Sequence, residues 1–363
     1  MKYLTEESIE NIATGAAVLG TGGGGDPYIG KLLAKEAIKK YGPVKVITMD
    51  ELDDEALVVP VSGMGAPTVT IEKLSTEEEI IKPVNKLEEI LGKKVDVIIP
   101  IEIGGTNSLV PVVAAAKKGV PILDADAIGR AFPEAQMVTF YLEGYDSSPV
   151  TIADEKGNCA VIYPINGIWS ERLARALTVE MGGKMTICDY SLSGEQVKKA
   201  AIKGTLTLAE EIGSILNLMK DSKEAIDSMI DKLDGFKLFE AKVIDIKRKL
   251  SGGFTKGFVE FKGINNDESE YSILFQNEYL IAKKNEKTIC TTPDLISILD
   301  YETGKAVTTD KLKYGMRVIC VSFPCNDKWR TKKGIETAGP KYFGYEEEYV
   351  PVEKLYNKFI EEE

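Results

Sequence analysis

The chain has 363 residues, enough for two domains at about 150 residues each; hydrophobic residues make up 44% and charged residues 28%, which excludes a disordered or membrane-spanning class. Lys+Arg 45 against Asp+Glu 57 leaves a net charge of −12, the wrong sign for a dedicated nucleic-acid binder. There is no histidine, so Ser-His-Asp and Cys-His catalysis and His-ligated zinc or haem are excluded; the chemistry must come from carboxylates, Lys, Tyr, Cys, hydroxyls or backbone amides.

From the N-terminus, Met1 to Leu19 carries Glu6, Glu7 and Glu10 where a signal peptide needs positive charge and an apolar core; five mostly widely spaced cysteines read as reduced thiols, so a cytoplasmic protein is expected. Thr5 to Leu19 reads as a helix, with Ile9, Ile12, Ala13 and Ala16 on one face. Gly20-Thr21-Gly22-Gly23-Gly24-Gly25 follows and satisfies G-x-G-x-x-G. That fingerprint needs a preceding strand to deliver pyrophosphate to a helix N-terminus. Here a helix precedes it and a helix opening at Asp26-Pro27 follows, so a helix–loop–helix is expected. Its amides either approach a ligand or form only a tight interhelical turn.

Strands are expected at Val44–Met49, Leu57–Val61, Val95–Glu102, Val120–Asp124, Cys159–Ile165 and Lys184–Tyr190, with helices at Pro27–Tyr41, Glu77–Leu91, Ser108–Lys118, Ser170–Met181 and Glu195–Ile202. This alternation predicts an α/β N-terminal domain with a largely parallel sheet over residues 1–234, closed by a helix-rich stretch from Thr205 to Leu233. After Gly235 short strands separated by turn signals predict a smaller, mostly-β C-terminal domain over 235–363.

Open parallel sheets bind ligands beyond the carboxyl ends of their strands. Three such ends carry unusual residues here. Leu57–Val61 runs into Ser62-Gly63-Met64-Gly65-Ala66-Pro67; Val95–Glu102 ends at Glu102 and Gly104-Gly105-Thr106-Asn107 opens a helix; Val120–Asp124 runs into Asp124-Ala125-Asp126. Each has a plainer alternative. Thr106 or Asn107 could only cap the helix, and Asp124 and Asp126 could start a further helix with Arg130 as their ion-pair partner. Glu102 is harder to dismiss, because a carboxylate closing an apolar strand is costly unless paired or used. No ligand spacing calls for a metal, and no cofactor is expected. Cys159, Cys188, Cys290, Cys320 and Cys325 show no zinc pattern; Cys188, beside Asp189, reads as a buried small hydrophobe.

Several of these motifs, in order, resemble the DUF917 family, described as S-methyl thiohydantoin desulfurase-like and related to domains of hydantoinase/oxoprolinase chains. The resemblance is carried by the Gly15–Pro27 stretch, Met64-Gly65-Ala66-Pro67, Glu102 to Asn107, Asp124-Ala125-Asp126, Gly129-Arg130-Ala131-Phe132-Pro133-Glu134, Gly252–Gly257, Thr292-Pro293-Asp294-Leu295 and Gly339–Tyr345. It implies a hydrolase-type reaction on a five-membered cyclic substrate, in which water replaces a thiolate. The carboxylates suit it: Glu102 or Asp124 as base, Asp126 as partner. Gly23, Gly24, Asp26, Met64, Gly65, Gly104, Gly105, Thr106, Asn107 and Arg130 are the expected substrate contacts. The expected partner is that small cyclic substrate, with no nucleic acid and no membrane; a homo-oligomer is compatible with the sequence. Two other functions stay open, a non-catalytic partner or ligand-binding subunit of a hydantoinase/oxoprolinase-type system and a nucleotide-dependent enzyme using Gly20–Gly25.

Overall fold

A computed structural model describes residues 2–65, 69, 73, 75–219 and 221–362. The first part of the chain runs β1 (Lys2–Tyr3), α1 (Glu6–Leu19), α2 (Pro27–Tyr41), β2 (Lys45–Ile47), β3 (Leu57–Pro60), β4 (Ser62–Gly65), α3 (Glu77–Leu91), β5 (Val97–Ile99), α4 (Val110–Lys118) and β6 (Ile122–Leu123). A six-stranded sheet has the order β1-β2-β6-β5-β3-β11, where β11 is Leu192–Ser193. Its four inner strands pair in parallel, and the two edge strands are antiparallel. Val97 to Ile99 and Val58 to Pro60 are buried throughout, as strands covered on both faces must be.

The helices begin where the sequence supplies caps. Thr5 Oγ1 accepts from the Ser8 amide at 3.1 Å, Asp26 Oδ1 accepts from the Tyr28 amide at 3.1 Å, and Thr76 with Glu79 forms a capping box. Gly20–Gly25 therefore links two helices, without the strand that a dinucleotide fingerprint requires.

Two expectations about the sheet are corrected. Cys159–Ile162 (β9) and Lys184–Cys188 (β10) do not join the parallel sheet; with Val150–Ala153 (β8) and β4 they form an antiparallel sheet of order β4-β10-β8-β9, while Ala125–Asp126 (β7) pairs with Ile202–Lys203 (β12). The segment after β3 is not a plain loop either, because Ser62–Gly65 pairs with Lys184–Ile187 in that second sheet. Gly63 and Gly65 have low strand propensity, which hid the strand from a propensity reading. Ala66 and Pro67 lie outside the described residues. The helix considered at 128–130 is absent, those residues being bends.

From Phe236 the strands Phe236–Ser251 (β13), Phe254–Gly263 (β14), Glu270–Gln276 (β15), Glu278–Lys284 (β16), Lys287–Thr291 (β17), Leu295–Asp300 (β18) and Arg317–Phe323 (β19) build a seven-stranded, wholly antiparallel sheet of order β17-β16-β15-β14-β13-β19-β18. The chain thus has an N-terminal α/β region with a mixed, largely parallel sheet and a C-terminal antiparallel β region. The two are not separate bodies: Leu295, Leu299, Ile319, Val321, Phe323 and Trp329 belong to the same buried cluster as the N-terminal sheet. Trp329 is fully buried, donates through Nε1 to the Ile128 carbonyl at 2.7 Å and stands edge-on to Phe132 at 4.8 Å. Among the described residues no helix is long and apolar enough to cross a membrane.

Candidate active site

Where β5 ends, the chain passes through Pro100 and Ile101 to Glu102, which is buried. Its Oε1 accepts from Asn107 Nδ2 at 2.6 Å, and its buried Oε2 has no hydrogen-bond partner among the described residues. Burial pushes this carboxyl up to about 8, opposed by the Asn107 amide and then by the backbone amide of Phe132. Asn107 also holds the second sheet against the first: its Oδ1 accepts from the Gly63 amide at 2.8 Å, and its Nδ2 donates to the Gly63 carbonyl at 3.1 Å. Asn107 is thus a clamp rather than a helix cap.

Glu102 opens onto a cavity of about 130 Å³. A single water needs only ~10–15 Å³ by the same measure, so a small organic molecule has room. Gly24, Gly25, Met64, Gly65, Thr106 and Asn107 contribute to its wall from the N-terminal motifs. The second sheet adds Lys184, Thr186 and Ile187, Asp189 follows just after it, and Asn277 and Glu278 come from the hairpin tip before Tyr279. Glu134 and Arg175 line it as well.

The glycine segments meet backbone to backbone beside this cavity. Gly24 and Gly105 both have positive φ, 69° and 61°. A Cβ on Gly24 would stand 2.5 Å from the Gly104 carbonyl oxygen, and one on Gly105 would strike Gly24. The Thr106 amide donates to the Gly24 carbonyl at 2.9 Å, and its hydroxyl to the Asp26 carbonyl at 2.6 Å.

The expected site residues separate into two groups. Gly24, Met64, Gly65, Glu102, Thr106 and Asn107 face the cavity. Gly23, Asp26, Gly104, Gly105, Asp124, Asp126 and Arg130 stand outside its lining. Asp26 caps α2 and ion-pairs with Lys311. Asp124 is bound to the helix Thr205–Leu218: its Oδ1 accepts from the Thr207 amide at 3.0 Å and its Oδ2 from the Thr207 hydroxyl at 2.6 Å. Asp126 lies behind Glu102, where its Oδ2 accepts the amides of Ile103, Ile128 and Gly129 at 2.8, 3.2 and 2.7 Å. Burial still pushes Asp126 up to about 7. Arg130 is not an ion-pair partner of these aspartates. It is fully buried and donates to the carbonyls of Ala131, Pro293 and Asp294 and to the Thr21 hydroxyl.

Three cavity groups were not singled out from sequence. Burial, then the nearby Glu102 charge, pushes Glu278 up to about 8, and burial pushes Asp189 up to about 7. Lys184 is pulled down by burial; its ammonium donates to the Lys73 carbonyl at 3.0 Å and to the Ser75 hydroxyl. Glu278 carried the signal that marked Glu102, a carboxylate abutting an apolar run, here Tyr279-Leu280-Ile281-Ala282. Burial pushes the Cys188 thiol far up and the Cys325 thiol up to about 12, so neither supplies a ready thiolate.

Comparison with known proteins gives two adjoining family matches, to the S-Me-THD-like N-terminal domain over residues 7–164 and to the S-Me-THD-like C-terminal domain over 165–352. These meet after β9, whereas the long antiparallel sheet starts at Phe236. A crystal structure of a protein from Chromobacterium violaceum, a structural-genomics target, superposes with a TM-score of 0.81 at 24% identity, covering 97% of this chain and 100% of that one. That likeness concerns the fold. No curated protein matches the chain.

Proposed function

Since the chain belongs to the S-Me-THD-like family, we propose that it is a hydrolase acting on a hydantoin- or thiohydantoin-like five-membered ring, in which water displaces a thiolate. The observation that carries this reading is Glu102: a buried carboxyl at a strand end, facing a cavity, with one oxygen unpartnered. On an S-methylated thiohydantoin, water adds to the ring carbon that bears sulfur. Glu102 takes the proton from that water, and the tetrahedral adduct collapses to a hydantoin carbonyl with loss of methanethiol. General-base assistance of this kind is worth ~10²–10⁴-fold.

Within the trio read from sequence, the base role goes to Glu102. Asp126 positions it, because its carboxylate holds the Ile103 amide next in the chain, and its charge helps keep the Glu102 proton affinity high. Asp124 secures the helix Thr205–Leu218. The ring is held against Gly24, Met64, Gly65, Thr106 and Asn107, while Gly23, Gly104, Gly105 and Arg130 support that wall from behind.

A nucleotide-dependent reaction has little support. The Gly23 backbone faces the Glu278 carboxyl, and Gly24 packs on Gly104, so the loop presents its amides to protein groups and a buried acid rather than to a phosphate. The test is to incubate the purified chain with hydantoins, thiohydantoins and their S-methyl derivatives, following thiol release and ring absorbance. Thiol release from an S-methyl derivative supports the reading. Tight binding without turnover replaces it with the ligand-binding or partner-subunit role.

A further inference from the structure

Glu278 is the acidic side chain that the C-terminal sheet contributes to the cavity lining, and its position is unusual for a structural carboxylate. It opens the strand Glu278–Lys284 directly after a one-residue turn at Asn277, since Gln276 and Glu278 are themselves paired. The turn is bolted in place. The Asn277 amide donates to the Thr255 carbonyl at 2.8 Å and Asn277 Oδ1 accepts from the Thr255 amide at 2.9 Å, while the Thr309 hydroxyl donates to the Asn277 carbonyl at 2.8 Å. The Tyr279 amide donates to the Thr21 carbonyl at 2.8 Å and the Thr309 amide to the Gly22 carbonyl at 3.0 Å. These bonds drive the tip of the hairpin into the glycine-rich loop, where the missing side chain of Gly23 makes room for the Glu278 carboxyl.

What this rigid mounting delivers is a carboxyl group that is 2% exposed and has a buried oxygen, Oε2, without a partner. Arg130 is near enough to attract it, yet the Arg130 hydrogen bonds go to Thr21, Ala131, Pro293 and Asp294. The unpartnered oxygen of Glu278 belongs to a residue of the cavity lining, unlike that of Asp126, which is as deeply buried but lies outside the lining. We infer that Glu278 is the second acid–base group of the cavity, so that the catalytic pair is divided between the N-terminal sheet, which supplies Glu102, and the C-terminal sheet, which supplies Glu278.

This rests on the hydrolytic reading, and it completes the proton balance. As water adds to the ring carbon, Glu102 takes a proton from the water and Glu278 gives its proton to the ring nitrogen. On collapse, Glu278 takes back the proton of the adduct hydroxyl as the carbonyl forms, while the C–S bond breaks and Glu102 passes its proton to the departing sulfur. Both groups return to their starting states, and the net change is one water consumed and one thiol released. Two like charges in one low-dielectric cavity resist ionising together, so one acid and one base coexist near neutrality. Glu102 and Arg130 are the charged groups that act on Glu278, and Asp126 and Arg130 those that act on Glu102.

The experiment compares wild type, Glu278→Gln, Glu278→Asp and Glu102→Gln on the S-methyl derivative that wild type turns over. Expected for Glu278→Gln is a kcat loss of ~10²-fold or more, loss of the alkaline limb of the pH–rate profile, and a melting temperature at pH 8 equal to or above wild type. Glu278→Asp should recover part of the rate. If Glu278→Gln keeps both kcat and the alkaline limb while Glu102→Gln is inactive, the inference is overturned and the hydrolytic reading stands. Loss of kcat accompanied by a lower melting temperature, without rescue by Glu278→Asp, makes Glu278 a structural residue and also overturns it. A wild-type chain inactive on every compound overturns the reading and the inference together.

Discussion

Two neighbouring parallel strands of the first sheet end in acidic turns, and those turns have different fates. After β5, Glu102 keeps one oxygen free and faces the cavity, and burial pushes its carboxyl up to about 8. After β6, Asp124 has both oxygens on Thr207 and is not part of the cavity lining. Asp126 lies between these cases: one oxygen takes three amides, the other is buried without a partner, and neither reaches the cavity lining. The carboxyl edge of a parallel sheet therefore nominates candidates, and hydrogen-bond saturation together with access to the cavity ranks them.

The largest test of that contrast is kinetic. Glu102→Gln should lower kcat by ~10²–10⁴-fold, whereas Asp124→Asn should stay within a few-fold of wild type on the same S-methyl thiohydantoin. Equal losses would erase the distinction between the two turns.

The wall beside Glu102 can be broken through its glycines. Gly24→Ala and Gly105→Ala each add a Cβ at positive φ against facing backbone, and each should cost about 2–4 kcal/mol in urea unfolding. The two losses should be less than additive, since either substitution separates the same pair of segments.

Stability against pH sharpens the comparison further. The Glu102 carboxyl binds its proton more tightly in the folded chain than in the unfolded one, its value being raised from 4.5 to about 8. Its contribution is fully present below 4.5 and is lost as pH rises through about 8. Glu102→Gln removes that loss, so its melting temperature should gain on wild type between pH 5 and pH 8. A gap that stays constant over this window would show that the Glu102 proton is not bound more tightly in the folded state.

Asp124→Ala should cost about 1–2 kcal/mol through the lost bonds to the start of the helix Thr205–Leu218, read by thermal unfolding. The smallest effect belongs to the thiols. Cys188→Ala and Cys325→Ala should retain near-wild-type kcat, because buried thiols with raised proton affinity supply no thiolate. A large kcat loss in either would transfer the chemistry from the carboxylates to sulfur.

Much of this was legible in the residues themselves. Helices Pro27–Tyr41 and Glu77–Leu91 have the expected bounds because Asp26-Pro27 and the Thr76/Glu79 capping box start them locally. The helical link at Gly20–Gly25 followed from the apolar face of Thr5 to Leu19. Glu102 stood out because a carboxylate closing an apolar strand demands a reason. Asp124 and Asp126 could not be told from Glu102 this way, since their partners Thr207, Ile103 and Gly129 are assigned by folding and not by spacing.

The sequence by itself determined the two textures of the chain, its lack of histidine, the carboxylates at its strand ends and the glycine positions where backbones approach, because periodicity, capping and residue chemistry act over a few neighbouring residues. Only the tertiary structure decided that Ser62–Gly65 and Lys184–Cys188 form a second sheet, that Asn107 clamps Gly63 while binding Glu102, and that Glu278 reaches the same cavity from 176 residues further along the chain. Those pairings depend on long-range strand register and on which polar atoms remain unsatisfied after the cores close, and both emerge only when distant segments share one buried volume.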